Sequence, residues 1–449
     1  MKKLSVKYIS ELCGGTICGK DAYVTAVVRD NREISGGELF VAIRGEKFDG
    51  HSFVRDAEGK GAAAALVSEK VKGVSIPQIV VADTIEALGK IAKGYLASLP
   101  VKKVCITGSV GKTTTKEMCS AVLSAGFKTH KTAGNYNNNI GLPLTIFGLD
   151  ESYEAAVLEI GTNHFGEILP LAKIAAPDVA LITTIGASHL EAFGTKEGVL
   201  AEKTEIFKGL SKDGIAVLNG DDPLLWGIRN TLFNKAVWFG IENPECDVLG
   251  KIEKNNAYEA SFTVKGSQTE FRLTCGGEHN IRDALSAIAV GRAFGMDDEA
   301  IAKGLLTFKN TGMRQDIYKW NEITIIRDCY NANPDSMRAS LMVLRDFECS
   351  GKRIAVLGDM NELGENANVL HEEIGAFAAS CADVILVTGR YSDSYKNGVT
   401  DEKIKVFEDK ETLAKELSDK AGKGDVLLVK GSYGTKMWQV LEYLQGKEE

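Results

Sequence analysis

The chain has 449 residues, 44% of them hydrophobic and 25% charged, the proportions of an ordinary globular protein, which excludes collagen-like, coiled-coil and disordered classes. At roughly 150 residues per domain the length suggests about three domains rather than one core. Lysine and arginine number 53 against 61 aspartate and glutamate, a net charge of −8, so wholesale nucleic-acid binding is excluded and an anionic ligand must be caught by a local pocket.

The start, MKKLSVKYISEL, has no apolar run behind its charges, and no later stretch approaches about 18 apolar residues, so the expectation is a cytoplasmic chain, neither exported nor in contact with a membrane. Residues 1–100 read as a small α/β unit, with apolar runs at 39–43, 63–67 and 79–81 and a helical stretch over 84–99 that stops at Pro100. From Val101 short β-branched runs (VCITG, AAVLEIG, VALITTIG, GIAVLNG) alternate with helical patterns, which predicts a doubly wound, mostly parallel sheet with ligands at the strand C-termini. The alternation over 243–277 predicts an antiparallel hairpin at the sheet edge, and helical patterns run from Asn280 to about Phe308, closing a unit of residues 101–312. Strands at 323–328, 353–357, 384–387 and 426–429 predict a third, open, Rossmann-like α/β unit over 313–449. Nine cysteines without a C-x-x-C pair point to reduced, mostly buried thiols, not to a zinc site or a disulfide framework.

The strongest motif is VCITGSVGKTTTKEM at 104–118: a buried strand, a glycine-containing loop, Gly-Lys-Thr and a helix. Such a loop turns backbone N–H groups toward phosphate oxygens at a helix N-terminus. The expected contacts are Thr107, Gly108, Ser109, Val110, Gly111, Lys112, Thr113 and Thr114, with Lys112 as the charge and the Thr113 hydroxyl placed for magnesium. Ile106 stands where the strict pattern has its first glycine, and the threonine run alone could be helix capping. Glu159, at the end of AAVLEIG, is placed to hold magnesium or its water, or else decorates a strand end. His189 follows another strand end on the same rim and is a candidate metal ligand. Lys203 is either a solvated helix lysine paired with Glu202 or Glu205, or a buried amine lowered by nearby cations. His279 and Asn280 open a helix, and Arg314 and Asp328 belong to a junction and a strand end of the third unit, where a phosphate and a ribose hydroxyl would need them.

Taken in order, these residues resemble the Mur ligase family of ATP-dependent amide-forming enzymes, along nearly the whole chain. RDNREISGGELFVAIRGEKFDGHSFV resembles that family's uridine-diphosphate-binding segment, with Asn31 where serine is usual. NYNNNIGLP, EIGTNHFGEI, HLEAFG, EKTEIF, GEHNIRDAL, YNANPDSM and GDMNELGENANVLHEEIG follow in family order. YNANPDSM and GDMNELG resemble the branch that adds D-alanyl-D-alanine; the neighbouring ligase that adds the third stem residue typically has Tyr-Ala-His-Thr-Pro at the first of these. Asp283 stands where asparagine is frequent and Arg327 where aspartate is common, both expected to lie outside the chemistry.

The resemblance implies phosphorylation of a carboxylate by ATP, then attack of an amine on the acyl phosphate. The substrates it implies are UDP-N-acetylmuramoyl-tripeptide and D-alanyl-D-alanine, handled by a monomer without nucleic acid. It implies two magnesium ions, one on Thr113 and Glu159, the other on His189 and a carbamate formed on Lys203, with Lys112, His189 and Lys203 as catalytic groups. His279, Asn280, Arg314 and Asp328 would serve ATP. Asp30, Asn31 and Arg32 would bind the uridine diphosphate, Asn135, Asn137 and Asn138 the muramoyl peptide, and Asn331, Asn333 and Ser336 the dipeptide. A P-loop switch or transport ATPase, a non-catalytic scaffold, and a Mur-type ligase adding a single amino acid are the competing readings.

Overall fold

A computed structural model describes residues 1–232, 235–310, 312–400 and 402–446; the last three residues of the expected third unit, 447–449, lie outside them. It is an α/β protein built on three larger sheets. The first sheet holds strands Thr16–Cys18, Gln78–Val80, Ala64–Val67, Glu38–Val41 and Ala26–Val28 in that spatial order, parallel except for the first pair. Strands Glu38–Val41 and Ala64–Val67 are buried on both faces, which is why they read as continuous apolar runs. A separate two-stranded pair, Leu4–Ser5 with Tyr23–Val24, is too short to have left a periodic signal. Asp83 caps the helix Thr84–Ala97 by accepting from the N–H groups of Ile85 and Glu86.

The first unit is fixed to the second by a shared apolar core that runs from Leu4 to Cys246. Within it the Tyr95 hydroxyl donates to Leu149 O at 2.7 Å and accepts from Lys2 N at 2.7 Å.

The central sheet has nine strands. Seven are parallel: Thr129–Lys131, Ala155–Glu159, Lys102–Thr107, Val179–Ile182, Ile215–Asn219, Lys235–Gly240 and Val248–Asn255. Ala260–Val264 and Glu270–Leu273 add the antiparallel hairpin that the alternation predicts, with every second residue buried. Lys102–Thr107 lies between Ala155–Glu159 and Val179–Ile182, aligning Ile106 with Glu159 and Thr107 with Ile182. The chain reverses its winding at this strand, and that switch point brings both neighbouring strand ends beside the phosphate loop.

The third sheet has six strands, with Asp316–Trp320 antiparallel at its edge and the remaining five parallel. The edge strand departs from the all-parallel expectation. Its two-residue turn, Asn321 and Glu322, takes positive φ of 45° and 66°, the primed hairpin geometry, without the glycine that usually marks it. Among the described residues all nine cysteines are unpaired, and no helix is long and apolar enough to cross a membrane.

Candidate active site

The phosphate loop leaves strand Lys102–Thr107 and enters helix Lys112–Ser124. Gly108 and Gly111 have φ of 152° and 86°, conformations that L side chains rarely adopt. Space forbids a side chain as well: a Cβ on Gly108 would stand 1.8 Å from Thr183 Oγ1, and one on Gly111 2.7 Å from Asp283 Oδ1. Lys112 Nζ folds back on the loop and donates to Gly108 O at 2.6 Å. The Thr113 hydroxyl donates to Glu159 Oε2 at 3.0 Å, and Asn137 Nδ2 donates to Glu159 Oε1 at 2.9 Å. The expected pairing of the Thr113 hydroxyl with a strand-end carboxylate is therefore present, and Glu159 is buried rather than decorative. The hydroxyls of Thr107 and Ser188 are buried with no partner among the described residues.

Lys203 is buried at 1% exposure, and its two expected surface partners are engaged elsewhere. Glu202 accepts from the backbone N–H groups of Gly166, Glu167 and Ile168, and Glu205 pairs with Lys208 at 2.5 Å. Burial and the Lys112 charge hold the Lys203 amine well below the usual lysine range, against the pull of Glu202. Lys112 is likewise lowered by its burial, with Glu159 opposing.

The third unit closes over this wall. Arg314 Nη2 donates to Thr113 Oγ1 at 3.0 Å while its guanidinium lies 3.9 Å from the Tyr330 ring centroid. His189 Nδ1 meets Glu362 Oε2 at 2.6 Å. Ala187 N donates to Asp335 Oδ2 at 2.9 Å, and that carboxylate fills the space that a Cβ on Gly186 would need. A cleft of about 1260 Å³ remains between the units, with Lys112, Thr113, Glu159, His189, Arg314 and Asp328 among its lining residues. Among the described residues no group of three or more His, Cys, Asp or Glu converges, so a cation here would also rely on hydroxyl or ligand oxygens.

The expected adenine pair is joined by a residue the sequence reading missed. Gln315 Oε1 accepts from Asn280 Nδ2 at 2.8 Å and lies 3.0 Å from His279 Nε2. Gln315 Nε2 donates to Gly276 O at 2.9 Å. Its signal was adjacency to Arg314 alone. Asp328 is largely enclosed, with 15% of its side chain exposed, which raises its carboxyl, but Lys430 at 2.7 Å, Ser340 and Arg314 outweigh that and hold it below the ordinary carboxylate value.

One expectation is corrected outright. Asp283 is not remote from the chemistry: it abuts Gly111 and accepts from the Thr115 hydroxyl at 3.0 Å. Its burial pushes the carboxyl up to about 8 against the opposing pull of Thr115, Arg282 and Arg314. Arg327 does lie outside, paired with Asp316 at 2.6 Å on the sheet edge.

The substrate-side residues divide. Asn135, Asn137, Asn138, Asn331, Asn333 and Ser336 all line the cleft. Of these, Asn138 Oδ1 already accepts from the N–H groups of Ile140 and Gly141, and Asn333 with Ser336 forms a capping box on helix Pro334–Arg345. Asp30, Asn31 and Arg32 do not line the cleft: Asp30 pairs with Arg32 at 2.6 Å and Asn31 donates to Asp56 at 2.6 Å.

Three domain signatures match in chain order: "Mur ligase family, catalytic domain" over residues 23–96, "Mur ligase middle domain" over 106–291, and "Mur ligase, glutamate ligase domain" over 313–433. The UDP-N-acetylmuramoyl-tripeptide--D-alanyl-D-alanine ligase of Bacillus subtilis is 37% identical over 455 residues, 99% of each chain. That of Escherichia coli is 36% identical over 456 residues, again 99% of both. Among solved structures, MurF from Acinetobacter baumannii matches with a TM-score of 0.92 at 31% identity over 100% of both chains. MurF ligase from Thermotoga maritima, in complex with ADP, matches with a TM-score of 0.85 at 31% identity, over 94% of this chain and 98% of that one. With its three signatures in order, its full-length relatives and its phosphate loop facing a closing third unit, this chain belongs to the Mur ligase family.

Proposed function

We propose that this chain is an ATP-dependent amide ligase that joins D-alanyl-D-alanine to UDP-N-acetylmuramoyl-tripeptide. The reaction is the last cytoplasmic step in making the pentapeptide precursor of peptidoglycan, and the chain acts as a monomer. The observation that carries the reading is the interdomain cleft, with the phosphate loop and the Thr113–Glu159 pair on one wall and Arg314 and Asp328 on the other. The full-length similarity to D-alanyl-D-alanine ligases supports the choice of acceptor over a single amino acid.

Three units divide the work. Residues 1–100 take the uridine diphosphate end, where Asp30 and Arg32 exchange their pairing, and Asn31 its bond to Asp56, for the ligand. Residues 101–312 hold ATP, and 313–449 close over it. The tripeptide carboxylate attacks the γ-phosphorus; a P–O bond forms, the bridging bond to the β-phosphate breaks and ADP leaves. The dipeptide amine then attacks the acyl carbon, a C–N bond forms, the nitrogen loses a proton and phosphate departs.

The barrier is largely charge, because an anion must approach a polyanion; Lys112 and the loop N–H groups offset it. Arg314 trades the Thr113 hydroxyl for a phosphate oxygen. His279, Asn280 and Gln315 frame the adenine, Asp328 holds the ribose, Asn135, Asn137 and Asn138 border the muramoyl peptide, and Asn331, Asn333 and Ser336 border the dipeptide.

The Thr113 hydroxyl and Glu159 carboxylate, 3.0 Å apart, are hard oxygen donors that fit a magnesium ion; His189 and a carbamate on Lys203 would hold a second. Lys203 must be neutral to take up carbon dioxide, and both its burial and Lys112 favour the neutral amine; a carbamate there would put an anion beside the metal. Magnesium, when bound, supplies charge neutralisation between carboxylate and triphosphate. With oxygen-18 in the terminal carboxylate of the tripeptide, the released phosphate should carry one labelled oxygen. Unlabelled phosphate alongside amide product would contradict the acyl-phosphate route.

A further inference from the structure

His189 and Glu362 share a backbone peculiarity. His189, beyond the strand Val179–Ile182, has φ 53°, and Glu362, beyond the strand Arg353–Leu357, has φ 64°. Side-chain-bearing residues persist in this left-handed region only where their surroundings fix them. These two come from different units and meet: Nδ1 to Oε2 is 2.6 Å. The contact is held on both sides. Glu191 N donates to the carbonyl of Glu362 at 3.3 Å, and Gly364, with φ 59°, packs so that a Cβ there would lie 3.3 Å from Glu191 Cα. The His189 side chain is largely buried, at 18% exposure, while that of Glu362 is 55% exposed. Glu362 therefore reaches His189 from a position where its own side chain supports little packing.

We propose that Glu362 is a positioning residue: its carboxylate accepts the Nδ1–H of His189 and fixes the imidazole tautomer that leaves Nε2 unprotonated in the cleft whenever the third unit is seated. A carboxylate on one ring nitrogen sets which nitrogen is free to act as a ligand or acceptor, and it stiffens the ring's orientation. Glu362 also lies in the field of Lys112, each acting on the other's charge. Closure of the third unit thus delivers both Arg314 to Thr113 and Glu362 to His189. That Nδ1 faces the carboxylate follows from the geometry; the catalytic use of Nε2 rests on the ligase reading.

The test uses the full chain labelled with nitrogen-15, free of metal, at a pH above the ordinary imidazole value of about 6.5. Long-range nitrogen–proton spectra report the tautomer of each of the six histidines, and His189→Gln assigns the signal in question. The parent should show His189 protonated at Nδ1. Glu362→Ala should move it toward the Nε2-protonated form that imidazole prefers in water, at an unchanged melting temperature. Glu362→Gln, whose amide oxygen still accepts, should keep the parent pattern. In turnover, Glu362→Ala should lower kcat by about tenfold or more, the scale of losing a ligand's orienting partner, with the KM for ATP within about twofold; Glu362→Gln should recover part of it. An identical His189 pattern in parent and Glu362→Ala, or full kcat in that variant, overturns the proposal. A parent with the Nδ1 tautomer but no dipeptide-dependent turnover supports the positioning geometry and removes the ligase reading instead.

Discussion

Arg314 and Thr113, 201 positions apart in sequence, are joined by a 3.0 Å hydrogen bond from the guanidinium to the threonine hydroxyl. The same hydroxyl donates to Glu159. An arginine of the third unit thus holds the hydroxyl that, under the proposed function, nucleotide and metal would use, and the arginine would turn to a phosphate oxygen.

Removing the guanidinium should loosen the ligand-free closure. In solution scattering, Arg314→Ala without ligand should show a larger radius of gyration than the parent, and the two should converge once an ATP analogue and the UDP-substrate are added. Identical ligand-free profiles would mean that Arg314 does not hold the units together. Turnover should fall by about a hundred- to a thousandfold, the loss expected for one charge-stabilising group.

Under the proposed carbamate role, Lys203→Ala should lose activity by about a hundredfold or more, because no anion would then stand beside the metal. Added short carboxylic acids should restore part of the rate, since they supply the missing carboxylate. The carbamate role fails if the alanine variant keeps its rate.

Gln315 ties His279 and Asn280 to Gly276. Gln315→Ala takes an acceptor from Asn280 Nδ2 and from His279 Nε2, while Asn280 keeps its 2.7 Å bond to Gly276 O, so each lost bond costs about 0.5–1.5 kcal/mol. The KM for ATP should rise by about tenfold or more while kcat changes less. An unchanged ATP titration would place the adenine elsewhere.

Asp283 links pH to stability. Its carboxyl has the ordinary value of 3.8 when unfolded, and burial pushes it up to about 8 in the fold. The stability that its protonated form contributes is complete below about pH 4 and is lost as pH rises through about 8. Asp283→Asn removes this loss, so its advantage in melting temperature over the parent should widen from pH 5 to pH 9, by several degrees. A constant gap would show that the carboxyl ionises normally.

The parallel central sheet and the phosphate loop were legible because they depend on local signals: β-branched runs fully buried in a parallel sheet, and glycines where no Cβ fits. Glu159 was legible as the last residue of a strand and His189 as lying in the loop that follows another. Lys203 could not be settled, since its burial depends on Glu202 turning away to the N–H groups of Gly166, Glu167 and Ile168, a contact 34 to 36 residues distant. Asp283 was misjudged for a similar reason: its meeting with Thr115 spans 168 positions, and a helix pattern says nothing about which loop the helix faces. Gln315 and Glu362 matter only once the third unit is seated. Asn333 and Ser336 carried a legible capping box, which competes with their assignment to the dipeptide.

The most direct measurement is phosphate release from ATP in the presence of UDP-N-acetylmuramoyl-tripeptide, with D-alanyl-D-alanine, single amino acids or no amine as acceptor. Release that requires the dipeptide, with one amide formed per phosphate, is the predicted result. Release with a single amino acid, or equally fast with no acceptor, would contradict it.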